Sequence, residues 1–274
     1  MKWIDVTNAK SDIVKRTASL KTASVARREG FFLVEGLRSV DELIKSTAFG
    51  VEWLFIEQSL LETDARLRAY FEKRLPADTR VYRVSKDIFK KVSDTETPQG
   101  VLAVVRRTGD TVEDILKRSE NPLICVVENL QDPGNAGTIM RTADAAGAAG
   151  VIATKGTVDF YSPKVVRSTM GSLLHLPIVQ GADLARTVEE LKANGIRVFA
   201  AALGATKYHF EADFTGPCAI LIGNEGNGLT EEAIALADEK IIIPMPGSAE
   251  SLNAAMAAGV VMFEAVRQRM MGNE

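Results

Sequence analysis

The sequence predicts an α/β protein in two parts: a small N-terminal α/β sandwich over residues 1–107 and a larger parallel sheet over residues 122–274, joined by a linker at 108–121. Three observations predict it. Short runs of continuous apolar residues recur through the second part, as expected of strands covered by helices on both faces. Segments with helix start signals separate those runs. The charge also changes sign between the parts: residues 1–107 carry 20 Lys+Arg against 15 Asp+Glu, and residues 108–274 carry 13 against 21.

In the first part a polar, basic helical stretch runs from Ser11 to Glu29 and stops at Gly30, a residue suited to a helix C-cap. FFLVEG then reads as a strand, LRSVDELIKS as a helix and VEWLFIE as a strand. A charged helix over Ser59–Arg74, the strand RVYRV, a short helix near Ser85–Lys91 and the strand GVLAVVRR complete the alternation. The linker RTGDTVEDILKRSENP is polar and holds one short helix. The second part repeats strand and helix: LICVVE with a helix from about Ala136, GVIAT with one from Ser162, LPIV with one from Asp183, and RVFAAA followed by a loop. CAILIG with a helix from Thr230, and KIIIPM with a last helix capped by Ser251, follow. Ser162-Pro163 sets a cap residue before proline at the first helical position, and Thr230-Glu231-Glu232 sets acids in a first turn.

With 46% hydrophobic and 25% charged residues the chain has an ordinary globular balance. No apolar run reaches the ~20 residues of a membrane span, and the N-terminus lacks the pattern of a secretory signal. Cys125 and Cys218 sit inside apolar runs, so buried free thiols and a reducing cytoplasm are expected. Two Cys and two His at no ligand-like spacing argue against a metal site, and His175 and His209 are given no role. A basic first part is a recognised hint of nucleic-acid contact, although charge runs are more often solvated faces.

Ligands of open parallel sheets bind beyond the carboxyl ends of the strands, and three loops there are unusual. The first runs from Glu128 through Pro133, Gly134, Asn135 and Gly137 to Arg141. The second is Gly223–Thr230 and the third is Ile243–Asn253. Taken singly, each is a tight connection, Arg141 is a surface arginine and Asn253 a first-turn residue. The second loop spaces its glycines G-x-x-G-x-G rather than G-x-G-x-x-G, which disfavours a dehydrogenase. No G-K-[ST] follows any loop, which excludes a triphosphate-binding loop.

Taken together, DPGNAGTIMRTADAAG, IGNEGNGL and IPMPGSAESLNAAMAAG stand in order, with YSPKVVRSTMGS between the first two. The chain thereby resembles the SpoU (TrmH-like) branch of the SPOUT RNA methyltransferases across residues 122–270. Its first part, chiefly through FFLVEG and QGVLAVV, is similar to the family's substrate-binding domain, whose fold is shared with kink-turn-binding ribosomal proteins. The resemblance implies a deep trefoil knot, a homodimer, and S-adenosylmethionine as methyl donor to a ribose 2′-hydroxyl. It implies a cofactor site of Leu203, Gly204, Gly223, Ile243, Met245 and Leu252, with Asn253 beside them. It implies a catalytic set of Arg141, Asn135, Glu225, Ser251 and Asn253. A guanidinium with a pKa above about 12 makes a poor base. Arg141 is therefore expected to hold a phosphate or the developing 2′-oxyanion, with Glu225 orienting it or taking the proton. Lys164 and Arg167, one turn apart, are candidates for RNA phosphate contact. The expected substrate is RNA, foremost 23S ribosomal RNA. A tRNA ribose methylase and a non-catalytic ribosome-assembly factor are the alternatives.

Overall fold

A computed structural model describes residues 1–272. They form two compact units, one of residues 1–108 with 161–174, the other of residues 109–160 with the chain from His175 onward.

The first unit contains β1 (Lys2–Val6), α1 (Asp12–Ser19), α2 (Ala23–Glu29), β2 (Phe31–Glu35), α3 (Leu37–Lys45), β3 (Val51–Glu57), α4 (Gln58–Thr63), α5 (Ala65–Arg74), β4 (Arg80–Val84), α6 (Lys86–Val92) and β5 (Val101–Arg106). Its sheet has the order β1-β4-β3-β5-β2, with β1, β4 and β3 parallel and β5 antiparallel to both neighbours. Aromatic and β-branched residues on one face, among them Phe31, Trp53, Phe55, Val84 and Val104, form a core with Val14, Ile88 and Phe89 from the helices. Trp53 donates its indole N–H to Thr17 at 3.1 Å inside this core, which satisfies two buried polar groups at once.

Three sequence expectations are corrected here. The helix expected over Ser11–Glu29 is two helices, because the chain leaves helical geometry at Thr22, whose ψ of 114° makes it the N-cap of α2. Leu20, the C-cap of α1, is fully buried. The helix expected over Ser59–Arg74 breaks at Asp64, whose side chain accepts from Arg66 N and caps α5. The edge strand β1 was not expected, since an edge strand with exposed Lys2 and Asp5 shows little apolar signal. Gly30 does close α2, with φ of 73°.

The chain continues with α7 (Val112–Leu116), β6 (Leu123–Val127), α8 (Pro133–Ala145), β7 (Gly150–Thr154), α9 (Pro163–Ser168, in the first unit), β8 (Ile178–Ala182), α10 (Leu184–Ala193), β9 (Arg197–Ala201), β10 (Lys207–Tyr208), β11 (Cys218–Ile222), α11 (Glu231–Leu236), β12 (Glu239–Ile242) and α12 (Ala254–Met271). Among the described residues the second unit holds a parallel sheet of seven strands in the order β10-β12-β9-β11-β6-β7-β8. The buried faces of β6, β7, β9 and β11 pack against α7, α10 and α11 on one side. On the other side α12 lies against α8 and β11, with Ala255, Ala258, Val261, Met262 and Ala265 buried. Small residues allow that approach: a Cβ on Gly259 would meet Thr142 at 3.5 Å.

From β6 the chain proceeds outward through β7 and β8, and β11 later inserts on the other side of β6. The ends of β6 and β11 are therefore adjacent where the direction of winding reverses, the place at which such sheets bind ligands. Both cysteines are buried, and loss of solvation pushes their thiols up to about 12 for Cys125 and about 11 for Cys218. Among the described residues no helix is long and apolar enough to cross a membrane, and no cluster of His, Cys, Asp or Glu could hold a metal ion.

Candidate active site

Beyond β9, β11 and β12 lies a cavity of about 340 Å³. Leu203, Gly223, Ile243, Met245 and Leu252 line it, together with Glu225 and Ser251. Gly204 and Asn253 do not, although Gly204 is the neighbour of Leu203 in the chain. Ala201, Ile222, Asn227, Leu229 and Ile234 also contribute to the wall. In the sequence these read as ordinary strand-end and loop residues, and Ile234 as an ordinary residue of the helix that follows. The wall is mainly aliphatic and backbone, with a few polar groups, as a pocket for a heteroaromatic ligand requires.

The 223–230 segment is held closed by its glycines and asparagines. A Cβ on Gly223 would stand 2.1 Å from the Gly228 carbonyl carbon, so only glycine fits. Asn224 and Gly228 exchange backbone hydrogen bonds at 2.9 and 3.0 Å, and Gly228 takes φ of 69°. At the base of the turn Glu128, only 6% exposed, accepts from Thr230 N at 2.9 Å and Thr230 Oγ1 at 2.7 Å. Thr230 in turn caps α11.

A chain of hydrogen bonds crosses from the last helix to this turn. Asn253 is the N-cap of α12, accepting from Ala255 N and Met256 N; the cap expected at Ser251 is corrected, since the helix begins two residues later. The Asn253 amide donates to Asn135 Oδ1 at 2.9 Å, and Asn135 Nδ2 donates to Glu225 Oε1 at 3.1 Å. Glu225 also accepts from Asp132 N at 2.9 Å and Gln131 N at 3.1 Å. Partial burial pushes its carboxyl upward, but the donors on Asn135 and on the backbone of Asp132, Glu225 and Gln131 outweigh this and hold it below the usual carboxylate range. Glu225 is thus an ionised acceptor at neutral pH.

Asn135 stands in the first turn of α8 and not in the preceding loop. The helix begins at Pro133 rather than near Ala136, because Asp132 caps it by accepting from Asn135 N and proline occupies its first position. Arg141 lies in the third turn of α8 and is exposed, and its side chain makes no hydrogen bond or ion pair among the described residues. Glu225 spends its oxygens on Asn135, Asn224 and the 131–132 backbone, not on Arg141. The expected orientation of Arg141 by Glu225 is therefore replaced by an Asn253–Asn135–Glu225 chain. Lys164 is exposed on α9, whereas Arg167 is ion-paired to Asp94 at 2.6 Å within the first unit. His175 bonds Asp144 at 2.9 Å.

The SpoU rRNA Methylase family matches residues 122–263 and the MRM3-like substrate binding domain matches residues 11–103. The chain is 34% identical over 263 residues to the 23S rRNA (guanosine(2553)-2′-O)-methyltransferase RlmP of Bacillus subtilis (strain 168), covering 96% of this chain and 98% of that protein. Among solved structures it is similar to the SpoU methyltransferase AviRb from Streptomyces viridochromogenes in complex with the cofactor AdoMet, with a TM-score of 0.87 and 31% identity over 95% of this chain and 99% of that one. A structure concerned with 2-OH methylation of C/U34 on tRNA is 32% identical with a TM-score of 0.51, and covers 99% of its own chain but 59% of this one. The family match across the parallel sheet and the full-length relatives agree with the three loops and the cavity they build: the chain belongs to the SpoU rRNA methylase family.

Proposed function

We propose that the protein is an S-adenosylmethionine-dependent RNA methyltransferase that methylates a ribose 2′-hydroxyl of 23S ribosomal RNA. One observation carries the reading. Glu225 lines the cavity and also ends the hydrogen-bond chain from Asn135 and Asn253, so a pocket for the cofactor and a polar site for the substrate share one residue. The cavity residues fit the cofactor: backbone at Gly223 permits close approach, and Ile243, Met245 and Leu252 offer an apolar surface to an adenine. When bound, S-adenosylmethionine supplies an electrophilic methyl group. The remaining work falls to the chain. Asn135 and Asn253 fix the polar wall, and holding the two reactants in line provides much of the acceleration. Arg141, exposed and with no side-chain partner among the described residues, is assigned to hold a backbone phosphate or the developing 2′-oxyanion as the hydroxyl proton passes to solvent. Ser251 on the cavity wall supplies a further hydroxyl.

The substrate assignment rests on relatives that match both parts of the chain, whereas the tRNA-related structure leaves much of it unmatched. The basic part, residues 1–107, is assigned to RNA binding, with Lys164 as a phosphate contact and Arg167 available once it leaves Asp94. A cytoplasmic location is part of this reading. The trefoil knot belongs to this reading. So does a homodimer: Met256, Val260, Phe263 and Met270 form an exposed apolar stripe along α12, 37% to 70% accessible, which a second copy would cover. Incubation with tritiated S-adenosylmethionine and unmodified 23S rRNA, followed by mapping of ribose methylation, tests the activity. Absence of label in any RNA of the ribosome overturns it. Sedimentation of wild type beside Phe263→Glu tests the dimer, which the substitution should dissociate.

A further inference from the structure

The 223–230 turn must serve two masters. It walls the cofactor cavity with Gly223 and Gly226–Leu229, and it carries Glu225 to the β6–α8 loop. One side chain connects these tasks. Asn224 Oδ1 accepts from Gly226 N at 2.9 Å and Asn227 N at 3.1 Å, which fixes the tip of the turn. Its Nδ2 donates to the Asn129 carbonyl at 2.8 Å and to Glu225 Oε2 at 3.4 Å. The partners settle the orientation of the amide, since two N–H donors face one atom and a carbonyl faces the other.

The Asn129 carbonyl is aimed by an uncommon backbone. Asn129 takes φ of 52°, in the left-handed region. There its carbonyl receives both Asn224 and the Gln131 amide, the latter at 3.0 Å. Its own side chain occupies the space where a Cβ on Gly156 would lie, 2.3 Å from Asn129 Oδ1, and Gly156 O accepts from Gln131 Nε2 at 2.7 Å. The ends of β6, β7 and β11 are thereby tied through one residue, and Asn224 is the tie that reaches Glu225.

We propose that Asn224 is a positioning residue that sets the placement of Glu225, linking the cofactor wall to the substrate side of the site. Asn224 itself borders the cavity and acts through Glu225 rather than on a reacting group. The inference rests on the methyltransferase reading for its kinetic arm and on the structure alone for its titration arm. Asn224→Asp separates the two tasks of the side chain. Aspartate keeps the one oxygen that accepts from both Gly226 N and Asn227 N, so the turn stays capped. It loses the donor, and it sets a second negative charge against Glu225 and the Asn129 carbonyl, which disfavours ionised Glu225. The other side-chain carboxylates of the adjoining segments are unchanged: Asp132 accepts from Asn135 N, Glu128 accepts from Thr230, and Glu231 lies on the cavity wall.

The test uses the full-length protein in three measurements. Calorimetry with S-adenosylmethionine should give Asn224→Asp an affinity within about threefold of wild type, and Asn224→Ala, which loses the cap, a weaker one. Methyl transfer to 23S rRNA should show kcat lowered about 10- to 100-fold in Asn224→Asp, as expected of a misplaced site residue. Carbon NMR titration of the Glu225 carboxyl in the free protein should move to higher pH in Asn224→Asp. A wild-type kcat with an unmoved titration overturns the proposal. So does an affinity loss in Asn224→Asp as large as in Asn224→Ala, because Asn224 would then only build the cavity. If wild type itself transfers no methyl group the methyltransferase reading fails, while the titration still decides the role of Asn224.

Discussion

The two halves of the site are built from different materials. The cavity beyond β9, β11 and β12 is walled by backbone and aliphatic side chains on neighbouring strand ends. The polar half joins Asn253, Asn135 and Glu225, separated by 118 and 90 residues in the chain, through side-chain hydrogen bonds alone. A cavity of the first kind depends on what is missing from its wall, above all a Cβ at Gly223. A relay of the second kind depends on each amide keeping one orientation. The first should fail through sterics and take cofactor binding with it. The second should fail through charge and alignment and leave cofactor binding largely intact.

The largest effect tests the cavity. Gly223→Ala forces a methyl group onto the Gly228 and Leu229 backbone at 2.1 and 2.2 Å. Backbone cannot yield as a flexible side chain would, so we expect destabilisation of about 1–3 kcal/mol or more and no measurable S-adenosylmethionine binding. Gly204→Ala is the control. Its Cβ meets nothing within 4 Å, and only its φ of 77° opposes the change, which costs about 1–2 kcal/mol. Thermal denaturation and calorimetry on both variants should separate them clearly. Equal losses at the two sites would remove the steric account.

Arg141 tests the other half. Arg141→Ala breaks no side-chain hydrogen bond or ion pair among the described residues and removes an exposed side chain, so the melting temperature and cofactor affinity should stay near wild type. The methylation rate should fall about 10²–10³-fold, the usual consequence of losing one group that stabilises developing charge. Single-turnover kinetics on 23S rRNA measures it. Arg141→Lys should recover part of the rate if a point charge suffices, and little if the planar fork is needed.

The same contrast governs what the sequence reveals. The alternating rhythm of LICVV, GVIAT and CAILI makes the parallel sheet readable, because buried strands need continuous apolar residues whatever their neighbours. Glycines at 223, 226 and 228 are equally visible. The Asn253–Asn135–Glu225 chain is not, since no local spacing tells which asparagine meets which acid across a hundred residues. Asp132-Pro133 carried the same cap-and-proline signal as Ser162-Pro163, yet α8 was expected to start at Ala136, because Gly134 and Gly137 suggested a loop. Segment 161–174 shows a further limit. Val165, Val166 and Leu173 look like any core residues, but they pack in the first unit, where Phe32 and Tyr161 stand 5.0 Å apart.

Asn135→Ala should have an intermediate effect. It removes one donor from Glu225 and leaves the Asn253 amide without its acceptor, while Asp132 still caps the helix through the Asn135 backbone N–H. The expected result is a kcat reduced about 10-fold, with stability lower by about 1 kcal/mol. Asn253→Ser is the companion variant. Serine retains an N-cap for α12 but cannot span to Asn135, so its kinetic loss should resemble that of Asn135→Ala without a fall in helix stability. A double variant no slower than either single one is expected, because both break the same chain.

The smallest effect is a pH dependence of folding. Glu225 has its carboxyl held below the unfolded value of 4.5 by its hydrogen-bond donors. A group whose pKa is lowered on folding stabilises the native state above the unfolded pKa, and that contribution fades as pH falls through the folded one. The wild-type protein should therefore lose a small part of its stability below about pH 4.5 that Glu225→Gln never had. The group is largely solvent-exposed, so water screens its interactions and the difference should be small. Urea denaturation of both proteins between neutral and acid pH measures it: the gap between them should narrow as the pH falls. Parallel curves would mean that the donors around Glu225 hold it in place without favouring its charge. The polar half of the site would then resemble the cavity, a matter of shape more than of electrostatics.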